Sequence, residues 1–290
     1  MIIWIASYPK SGNTWVKNIV NQIVHNDFKS NEDVFKDSYR IRRYPAKDDI
    51  LDLPKIPDKY TELEKKSVID HTIKNWKISQ EKINLNNKIN ILKTHNMVCN
   101  INLDNKNYPF TDKENTTGVI HVVRDPRNIV ASIGNHYSHD SQEKSVEMLL
   151  NQFNWIGFKD NDTPQLLSSW KNHYNSWKRF PNNNLLIKYE DLLYNTKNEI
   201  SRLIKYLSKF FQLKTSDLEI DKIISNTSFE NFKAQEMRGK FKENAVNEFG
   251  EKKLFFYLGP KNNWKKLLDN DLKNKLNDVF KQNLIELSYD

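Results

Sequence analysis

The first 26 residues carry the pattern that most limits how this chain can fold. Residues 2–6 (IIWIA) are a short continuous apolar run, which is typical of a buried parallel strand. The loop SYPKSGN follows, and TWVKNIVNQIVHN then places Trp15, Ile19 and Val20 on one face of a helix. A strand, a glycine-containing loop and a helix in this order predict the opening of an α/β fold.

Later segments repeat the alternation of strand and helix. Apolar runs at 90–98, 118–123 and 185–189 predict three more buried strands. The helical patterns lie from Pro126 onward and at 61–80, 142–157, 164–179, 196–211, 218–232 and 263–287. Strands that alternate with helices predict a layered α/β fold with a parallel sheet. Because no linker separates two composition classes, we expect a single domain over residues 1–290.

Composition excludes several other classes of protein. The 290 residues include 7 Trp, 12 Tyr and 15 Phe, which favours a packed core over disorder. The lone cysteine, Cys99, excludes an intramolecular disulfide framework and a cysteine-based zinc cluster, and it favours a reducing compartment. The chain has no run of about 18 apolar residues and no secretory-signal pattern, so we expect a cytoplasmic protein without a transmembrane helix.

The net charge of +8 leaves two interpretations open. A basic chain can bind nucleic acid, a membrane surface or a polyanionic small molecule. However, the lysines are scattered and interleaved with Asp and Glu, which favours drift in composition. We therefore expect no nucleic-acid partner, and the sequence carries no indication of an oligomeric state.

The loop Ser7-Tyr8-Pro9-Lys10-Ser11-Gly12-Asn13-Thr14 joins the first predicted strand to the first helix. The free N–H groups and the dipole of a helix N-terminus favour negative charge. Gly12 allows the backbone to approach a phosphate, Lys10 adds a point charge, and Ser11 and Thr14 add hydroxyl donors. The loop predicts an anion site, with a plain strand–helix turn as the alternative. It is not a Walker A loop, in which the lysine follows the glycine.

SYPKSGNTW resembles the 5′-phosphosulfate-binding loop of sulfotransferases that use 3′-phosphoadenosine-5′-phosphosulfate (PAPS). The resemblance implies that the backbone N–H groups from Ser11 to Thr14, with Gly12 and Asn13 between them, hold the 5′-phosphate. It also implies that Lys10 neutralises charge on the oxygen that bridges sulfur and the departing phosphate. The similarity extends over about residues 2–288. It implies a three-layer α/β/α fold with a central parallel sheet, related to the P-loop nucleotide kinases.

A second candidate anion site lies in HVVRDPRNIVASIGNHY (121–137). Arg124 ends a predicted strand there, and a guanidinium at that edge can bind a phosphate through two hydrogen bonds. An ion pair with Asp125 or another carboxylate is the alternative. The segment is similar to the family's 3′-phosphate-binding strand–turn–helix, which implies that Arg124 and Ser132 hold that phosphate. Arg127 is a weaker candidate.

A candidate base follows the second predicted strand in Lys93-Thr94-His95. A neutral histidine at a strand end can act as a general base near pH 7, and a purely structural histidine is the alternative. The K-T-H triplet resembles the family's catalytic histidine segment. That resemblance implies that His95 takes the acceptor's proton and that Lys93 helps to stabilise the transferring group. The other histidines have no such motif.

Four residues are candidates for holding a purine base. Trp15 follows the first loop, Tyr189 ends the fourth predicted strand in IKYEDL, and Thr227 and Phe229 lie in NTSFENF. Bases stack on aromatic faces, although core packing is the better explanation of each residue taken on its own. In the resembled family, residues of these types at corresponding positions clasp the adenine.

FFYLGPKNNWKKL near the C-terminus resembles the family's R-K-G-x-x-G-x-W segment, with a departure. Gly259 aligns with the first glycine of the pattern. Tyr257 and Leu258 stand where the family has Arg-Lys, and Asn262 replaces the second glycine. This chain therefore lacks a 3′-phosphate contact of the family pattern, and we expect Lys261 to replace it, with the basic residues Lys252, Lys253 and Arg238 as the alternative.

Together these resemblances predict a PAPS-dependent sulfotransferase that acts without a metal. It would move a sulfuryl group to a hydroxyl or amine of a small-molecule acceptor. One alternative is a P-loop kinase or NTPase, which shares the strand–loop–helix opening. The other is a non-catalytic protein, either a degenerate sulfotransferase-like chain or a basic nucleic-acid binder. We expect residues 27–60, 136–165 and 233–258 to shape the acceptor pocket.

Overall fold

The structure is a computed structural model that describes part of the chain. The described residues are 1–25, 35, 40–54, 61–158, 162–213, 217–241, 243, 245–246 and 252–289. They fall into two compact units, which are described separately. The first unit comprises Met1–Tyr8, Ile41–His121 and Asn151–Leu185, and the second comprises Pro9–Arg40, Val122–Leu150 and Leu186–Asp290. A single domain over the whole chain stays a prediction.

The strands form one main sheet and three small ones. In chain order the strands are β1 (Ile2–Ser7), β2 (Asn90–Thr94), β3 (Asn100–Leu103), β4 (Lys106–Pro109), β5 (Thr116–Val123), β6 (Trp155–Ile156), β7 (Gln165–Leu166), β8 (Asn184–Lys188), β9 (Ala245–Val246) and β10 (Lys252–Lys253). The main sheet has the order β2-β1-β5-β8, and β1 pairs with β2 in parallel, with Ala6 opposite Thr94. The pairs β3–β4, β6–β7 and β9–β10 are antiparallel.

Helices alternate with the strands of the main sheet. They are α1 (Asn13–His25), α2 (Glu62–Asn84), α3 (Pro126–Tyr137), α4 (Gln142–Leu150), α5 (Trp170–Trp177), α6 (Tyr189–Tyr194), α7 (Thr196–Leu207), α8 (Asp217–Asn226), α9 (Phe229–Met237), α10 (Trp264–Leu267) and α11 (Asn270–Glu286). The α/β class that the alternation predicts is confirmed, and all four predicted strands of the main sheet are present. Among the described residues no helix is long and apolar enough to span a bilayer.

Three predicted elements differ from the structure because short antiparallel pairs take up part of the chain. The helix predicted over 142–157 ends at Leu150, and the one over 164–179 begins only at Trp170. The residues between them pair as β6 and β7. The connection predicted over 99–116 contains the hairpin β3–β4, whose turn has left-handed backbone at Asp104 and Asn105.

An aromatic cluster forms the core of the first unit and explains the apolar run at the start of the chain. All six residues of β1 are buried. The ring of Trp4 lies 5.3 Å from that of Tyr44, 5.6 Å from Phe110 and 6.3 Å from Trp177, measured between centroids. The indole N–H donates to Thr116 Oγ1 at 3.0 Å, so the one polar atom of Trp4 is satisfied within the core.

Phenylalanines form a cluster in the second unit. Phe35, Phe232, Phe241 and Phe256 are buried together, and Trp15, Phe229 and Phe255 pack against them. The Glu236 carboxylate accepts the backbone N–H groups of Phe255 at 2.6 Å and Phe256 at 3.0 Å. The helix α9 is thereby linked to the segment that precedes Gly259, a glycine that the motifs single out.

Candidate functional site

The turn between β1 and α1 has the backbone form that an anion-binding loop requires. Lys10 (φ 65°) and Gly12 (φ 98°) both adopt the left-handed conformation. In the first turn of α1, Asn13 and Thr14 are buried, and the N–H of Val16 makes a helical bond to Gly12 O at 3.1 Å. N–H groups nearer the helix end have no partner within the helix. Ser11 is fully buried, and its Oγ has no hydrogen-bond partner among the described residues.

Three of the other predicted residues contact the ring of Tyr189. A Cβ atom at Gly12 would lie 2.7 Å from Tyr189 Cδ2, so only glycine fits against the ring. The Arg124 guanidinium carbon lies 4.0 Å from the ring centroid, and the Trp15 ring contacts it edge-on at 5.6 Å. The prediction that Tyr189 ends a strand is wrong, because β8 stops at Lys188 and Tyr189 begins α6.

Arg124 is held by neutral oxygens instead of a carboxylate. Its Nη1 donates to Lys10 O at 3.1 Å and to Ser132 Oγ at 3.4 Å, while its Nε is buried without a partner. The alternative of an ion pair with Asp125 fails, because Asp125 binds Arg127 at 2.8 Å and both side chains are almost fully buried. Among the described residues, Arg124 makes no ion pair. Arg127, the weaker candidate, therefore has a structural partner.

Asn262 contacts the same serine. Its Nδ2 donates to Ser132 Oγ at 3.1 Å and to Asn128 O at 2.8 Å, and the N–H of Trp264 donates to Asn128 Oδ1 at 2.9 Å. In the sequence, Asn262 stood out only as a departure from a glycine in the resembled pattern. Its contact with Ser132 could not be predicted from the sequence, since it joins residues 130 positions apart.

A second group of aromatic contacts surrounds Gly259. A Cβ atom at Gly259 (φ 53°) would lie 2.4 Å from Phe229 Cε2, so the phenyl ring packs directly on the glycine backbone. Phe229 contacts the Phe256 ring at 6.5 Å. The Lys10 ammonium lies 3.3 Å from the centroid of the Phe255 ring. The contact between Lys10 and Phe255 joins this group to the loop that carries Lys10.

In the described part of the chain, the side chains of two predicted residues make no hydrogen bond or ring contact with these groups. Thr227 is buried, but its hydroxyl donates to Ile223 O at 2.8 Å, one helical turn earlier. Lys261 ends a short 3-10 turn, and its side chain is exposed. Tyr257, which stands with Leu258 where the resembled pattern has Arg-Lys, is 51% exposed.

His95 lies in the first unit, where two parallel strands end side by side. The last residue of β1 is Ser7, and the last of β2 is Thr94. The His95 ring therefore reaches back to Ser7, and its Nδ1–H donates to the Ser7 carbonyl at 2.7 Å. A histidine that donates through Nδ1 keeps Nε2 as its acceptor atom.

The surroundings of His95 keep the imidazole neutral. Burial, and then the charge of the neighbouring Lys93, lower the pKa of His95 well below its usual value. Arg43 adds a smaller effect in the same direction, and its backbone lies beside Lys93 in an isolated parallel bridge. The side chain of Arg43 forms an ion pair with Asp162 at 2.5 Å. In a neutral imidazole whose Nδ1–H is donated, Nε2 is the atom that can accept a proton.

Residues that carry no motif hold the His95 segment in place. The backbone N–H of His95 donates to Gln165 Oε1 at 2.8 Å, and the Trp177 indole donates to Asn96 O at 3.0 Å. Gln165 is fully buried. The His173 imidazole hydrogen-bonds to the backbone of His95 and of Asn96, although burial still lowers the pKa of His173 to about 3. The sequence offers no signal for these residues, because their partners lie about 70 to 80 positions away.

Parts of the expected acceptor pocket lie outside the described residues. These parts include most of 26–39, residues 55–60 and 159–161, and most of 242–251. In the described part of the chain, no group of three or more His, Cys, Asp or Glu residues is arranged to hold a metal ion.

The loop, the Tyr189 group and the His95 segment all belong to a chain of the α/β class. The sulfotransferase domain model matches residues 2–288. The chain therefore belongs to the sulfotransferase domain family, as the motifs predict.

Relatives and solved structures agree with that family. Sulfotransferase 1B1 of dog is 26% identical over 234 residues, 80% of this chain and 66% of the relative. Sulfotransferase 1E1 of human is 26% identical over 296 residues, 97% of this chain and 83% of the relative. The match spans just under two thirds of the dog protein and 65% of sulfotransferase 1E1 of cattle.

The fold is also found in solved structures. A mouse sulfotransferase complexed with PAP has a TM-score of 0.54 at 17% identity, covering 97% of this chain and 84% of that one. Retinol dehydratase in a complex with retinol and PAP has a TM-score of 0.60 at 21% identity, covering 98% and 81%. These similarities confirm the predicted sheet-and-helix architecture.

The contact between Gly12 and Tyr189 predicts a difference between two glycine substitutions. Gly12→Ala and Gly239→Ala both place alanine in left-handed backbone, which costs about 1–2 kcal/mol. At Gly239 no atom lies within 4 Å of the added Cβ, whereas at Gly12 it overlaps the Tyr189 ring. We expect Gly12→Ala to lower the free energy of unfolding by about 1–3 kcal/mol more than Gly239→Ala. Urea unfolding of both variants measures the difference, and equal losses would contradict the packing described.

The buried histidines predict how stability changes with pH. Burial lowers the pKa of His121 well below its usual value, so the folded ring stays neutral while the unfolded ring takes up a proton below about pH 6.5. The unfolded state then binds more protons, and the free energy of unfolding falls by about 1.4 kcal/mol per pH unit, until the folded-state pKa is reached. His121→Phe keeps an aromatic ring against Tyr174 and removes this slope.

Urea unfolding of wild type and His121→Phe between pH 5 and pH 8 tests the prediction. Plotted against pH, the free energies of unfolding of the two proteins should run parallel above about pH 7. Below about pH 6.5 the free energy of unfolding of the variant should rise relative to that of the wild type by about 1.4 kcal/mol per pH unit. Parallel curves over the whole range would mean that folded His121 is protonated as easily as the unfolded residue.

Proposed function

We propose that this chain transfers a sulfuryl group from PAPS to a hydroxyl or amine of a small-molecule acceptor. One observation carries the proposal: Gly12, Arg124 and Tyr189 meet in one place, and Arg124 also bonds Lys10 and Ser132. The family motif assigns each of these residues to the nucleotide. A cytoplasmic location is part of the proposal, in keeping with the zebrafish relative named cytosolic sulfotransferase 1.

The residues of the second unit suit a nucleotide that carries phosphate at both ends of its ribose. Ser11 Oγ and Arg124 Nε are buried donors without partners among the described residues, and the N-terminus of α1 favours negative charge. In the proposal, the 5′-phosphate binds the N–H groups from Ser11 to Thr14. The 3′-phosphate binds Arg124 and Ser132. PAP is the nucleotide in the mouse sulfotransferase and retinol dehydratase complexes.

The aromatic residues would hold the other end of the nucleotide. We assign Trp15, Tyr189, Thr227 and Phe229 to the adenine, as the resemblance implies. Gly259 belongs to the same surroundings, because Phe229 packs on its backbone. Lys261 is exposed, which leaves its side chain free to approach a 3′-phosphate from solvent.

When bound, PAPS supplies an activated sulfuryl group and a bisphosphate leaving group. His95 would take the acceptor's proton at Nε2, since its Nδ1–H is held by the Ser7 carbonyl. Lys10 would offset the charge of the departing phosphate, and Lys93 the charge on the sulfuryl oxygens. These roles are positioning and electrostatic stabilisation, as in phosphoryl transfer, and need no covalent step on the protein.

Nucleotide binding is the first test of the proposal. We expect adenosine 3′,5′-bisphosphate (PAP) at about 100 times its Kd to stabilise the chain by about 2.7 kcal/mol, and ATP with Mg²⁺ to have no comparable effect. Thermal unfolding with each ligand measures this as a rise in Tm of several degrees. A shift with ATP and Mg²⁺ alone would favour a kinase or NTPase. No shift with either would favour a degenerate, non-catalytic chain.

The variant His95→Ala tests the proposed role of His95 in turnover separately from nucleotide binding. We expect the variant to lose most turnover, by about 100-fold or more, because no other group takes the acceptor's proton. PAP binding should change little. Sulfation of a panel of phenols, alcohols and amines with PAPS measures turnover, and the PAP thermal shift measures binding. His25→Ala is the matched control, since His25 is exposed at the end of α1. Full turnover in His95→Ala would make the assignment of the base wrong.

A further inference from the structure

Asn262 ties the segment after Gly259 to helix α3. Its Nδ2 donates to Asn128 O at 2.8 Å and to Ser132 Oγ at 3.1 Å. Asn128 in turn accepts the N–H of Trp264 through Oδ1 at 2.9 Å. Two hydrogen bonds thus hold the Asn262 amide with its nitrogen against Ser132, and the third fixes its partner Asn128. Since the amide oxygen and nitrogen lie on opposite sides of Cγ, Asn262 Oδ1 faces away from Ser132.

Two donors converge on the Ser132 hydroxyl. Besides Asn262 Nδ2, it accepts Arg124 Nη1 in a longer contact of 3.4 Å. A serine hydroxyl has two lone pairs and one O–H. Because both lone pairs are engaged, Ser132 can bind a further group only by donating its proton, and the two incoming N–H groups polarise the O–H toward donation. A partner of Ser132 must therefore be a hydrogen-bond acceptor.

The charge at this point also favours an anion. Arg124 forms no ion pair with a carboxylate among the described residues, because Asp125 is bound to Arg127. Glu190 is the other carboxylate on which the Arg124 charge acts, but burial raises the pKa of Glu190, and its oxygens accept the Asp125 N–H and the Tyr289 hydroxyl. The residues at 257 and 258 add no charge, since they are Tyr257 and Leu258. The acceptor that Ser132 and Arg124 suit best is thus a phosphate oxygen, whose charge strengthens both hydrogen bonds.

We propose that Asn262 is a positioning residue for the 3′-phosphate of the nucleotide. It keeps Ser132 as a donor and so sets the preference for a 3′-phosphate over a 3′-hydroxyl. The inference rests on the proposed function, which assigns Arg124 and Ser132 to that phosphate. A glycine, as in the resembled pattern, has no side chain to make these bonds. The hydrogen bonds of Asn262 are therefore a feature of this chain, which also lacks the Arg-Lys pair of the resembled pattern.

Asn262→Asp tests the proposal with little change in shape. The carboxylate accepts the Ser132 O–H, which turns the donor away from the ligand, and it adds negative charge beside the 3′-phosphate. Isothermal titration with PAP and AMP separates the effect on the 3′-phosphate from the effect on the rest of the nucleotide. We expect the Kd for PAP to rise by about 10-fold or more and the Kd for AMP by less than about threefold.

Asn263→Asp is the matched control. It adds the same charge one residue away, where Asn263 is exposed and accepts the N–H of Lys265 at 3.0 Å. Aspartate caps a helix as well as asparagine, so the turn is retained. The ratio of PAP to AMP affinity should change by less than about threefold, because exposed charges are screened by salt.

A double-mutant cycle tests whether Asn262 acts through Ser132. If Asn262 acts through Ser132, Asn262→Gly weakens PAP binding in the wild type but has little further effect in Ser132→Ala. Circular dichroism confirms folding of each variant. Additive effects in the cycle, or an equal loss of PAP and AMP affinity in Asn262→Asp, would overturn the role of Asn262 alone. A wild-type chain that binds neither PAP nor PAPS would overturn the proposed function itself.

Discussion

The ion pair between Asp125 and Arg127 is the interaction on which the surroundings of Arg124 depend. Both side chains are almost fully buried, and together they satisfy the only carboxylate adjacent to Arg124 in sequence. Arg124 is thereby left to neutral oxygens and to the face of Tyr189. A guanidinium paired with a carboxylate would have little attraction for a phosphate. The Lys10 carbonyl that it binds also belongs to the loop, so one cation supports both ends of the proposed site.

The protonation state of the proposed base, His95, depends on burial and on the charges around it. Burying an imidazole penalises its charged form, and the nearby charge of Lys93 adds to that penalty, so both effects lower the pKa of His95. The hydrogen bond to the Ser7 carbonyl opposes them only in part, although it fixes which nitrogen accepts the proton. Lys93, which we propose to stabilise the charge on the sulfuryl oxygens, therefore also favours the neutral form of His95. Two further buried histidines, His121 and His173, have lowered pKa values for the same main reason.

The sequence predicted the elements whose signals are local. The run at 2–6 and the Ser7–Thr14 loop are continuous in sequence, so strand, turn and helix followed directly. The pairing of β6 with β7 could not be predicted, because two-residue strands have no periodicity to detect. Gln165 carries no motif, and only the fold brings it to the His95 backbone. The resemblance also pointed to Lys261, whereas the neighbouring Asn262 makes the contact with Ser132.

Compared with the resembled pattern, this chain lacks the Arg-Lys pair and carries the short amide of Asn262 in place of a glycine. The two differences change whether the cost of ordering a side chain is met on binding or on folding. A flexible arginine at position 257 would lose rotamer freedom each time it closed on a phosphate. Asn262 is already fixed by Asn128 and Ser132, so its ordering cost falls on folding and not on binding. The site gives up one charge–charge attraction, yet the donors that remain need little rearrangement. In the proposed reaction, a preorganised subsite with fewer contacts to the 3′-phosphate would favour faster release of the bisphosphate product.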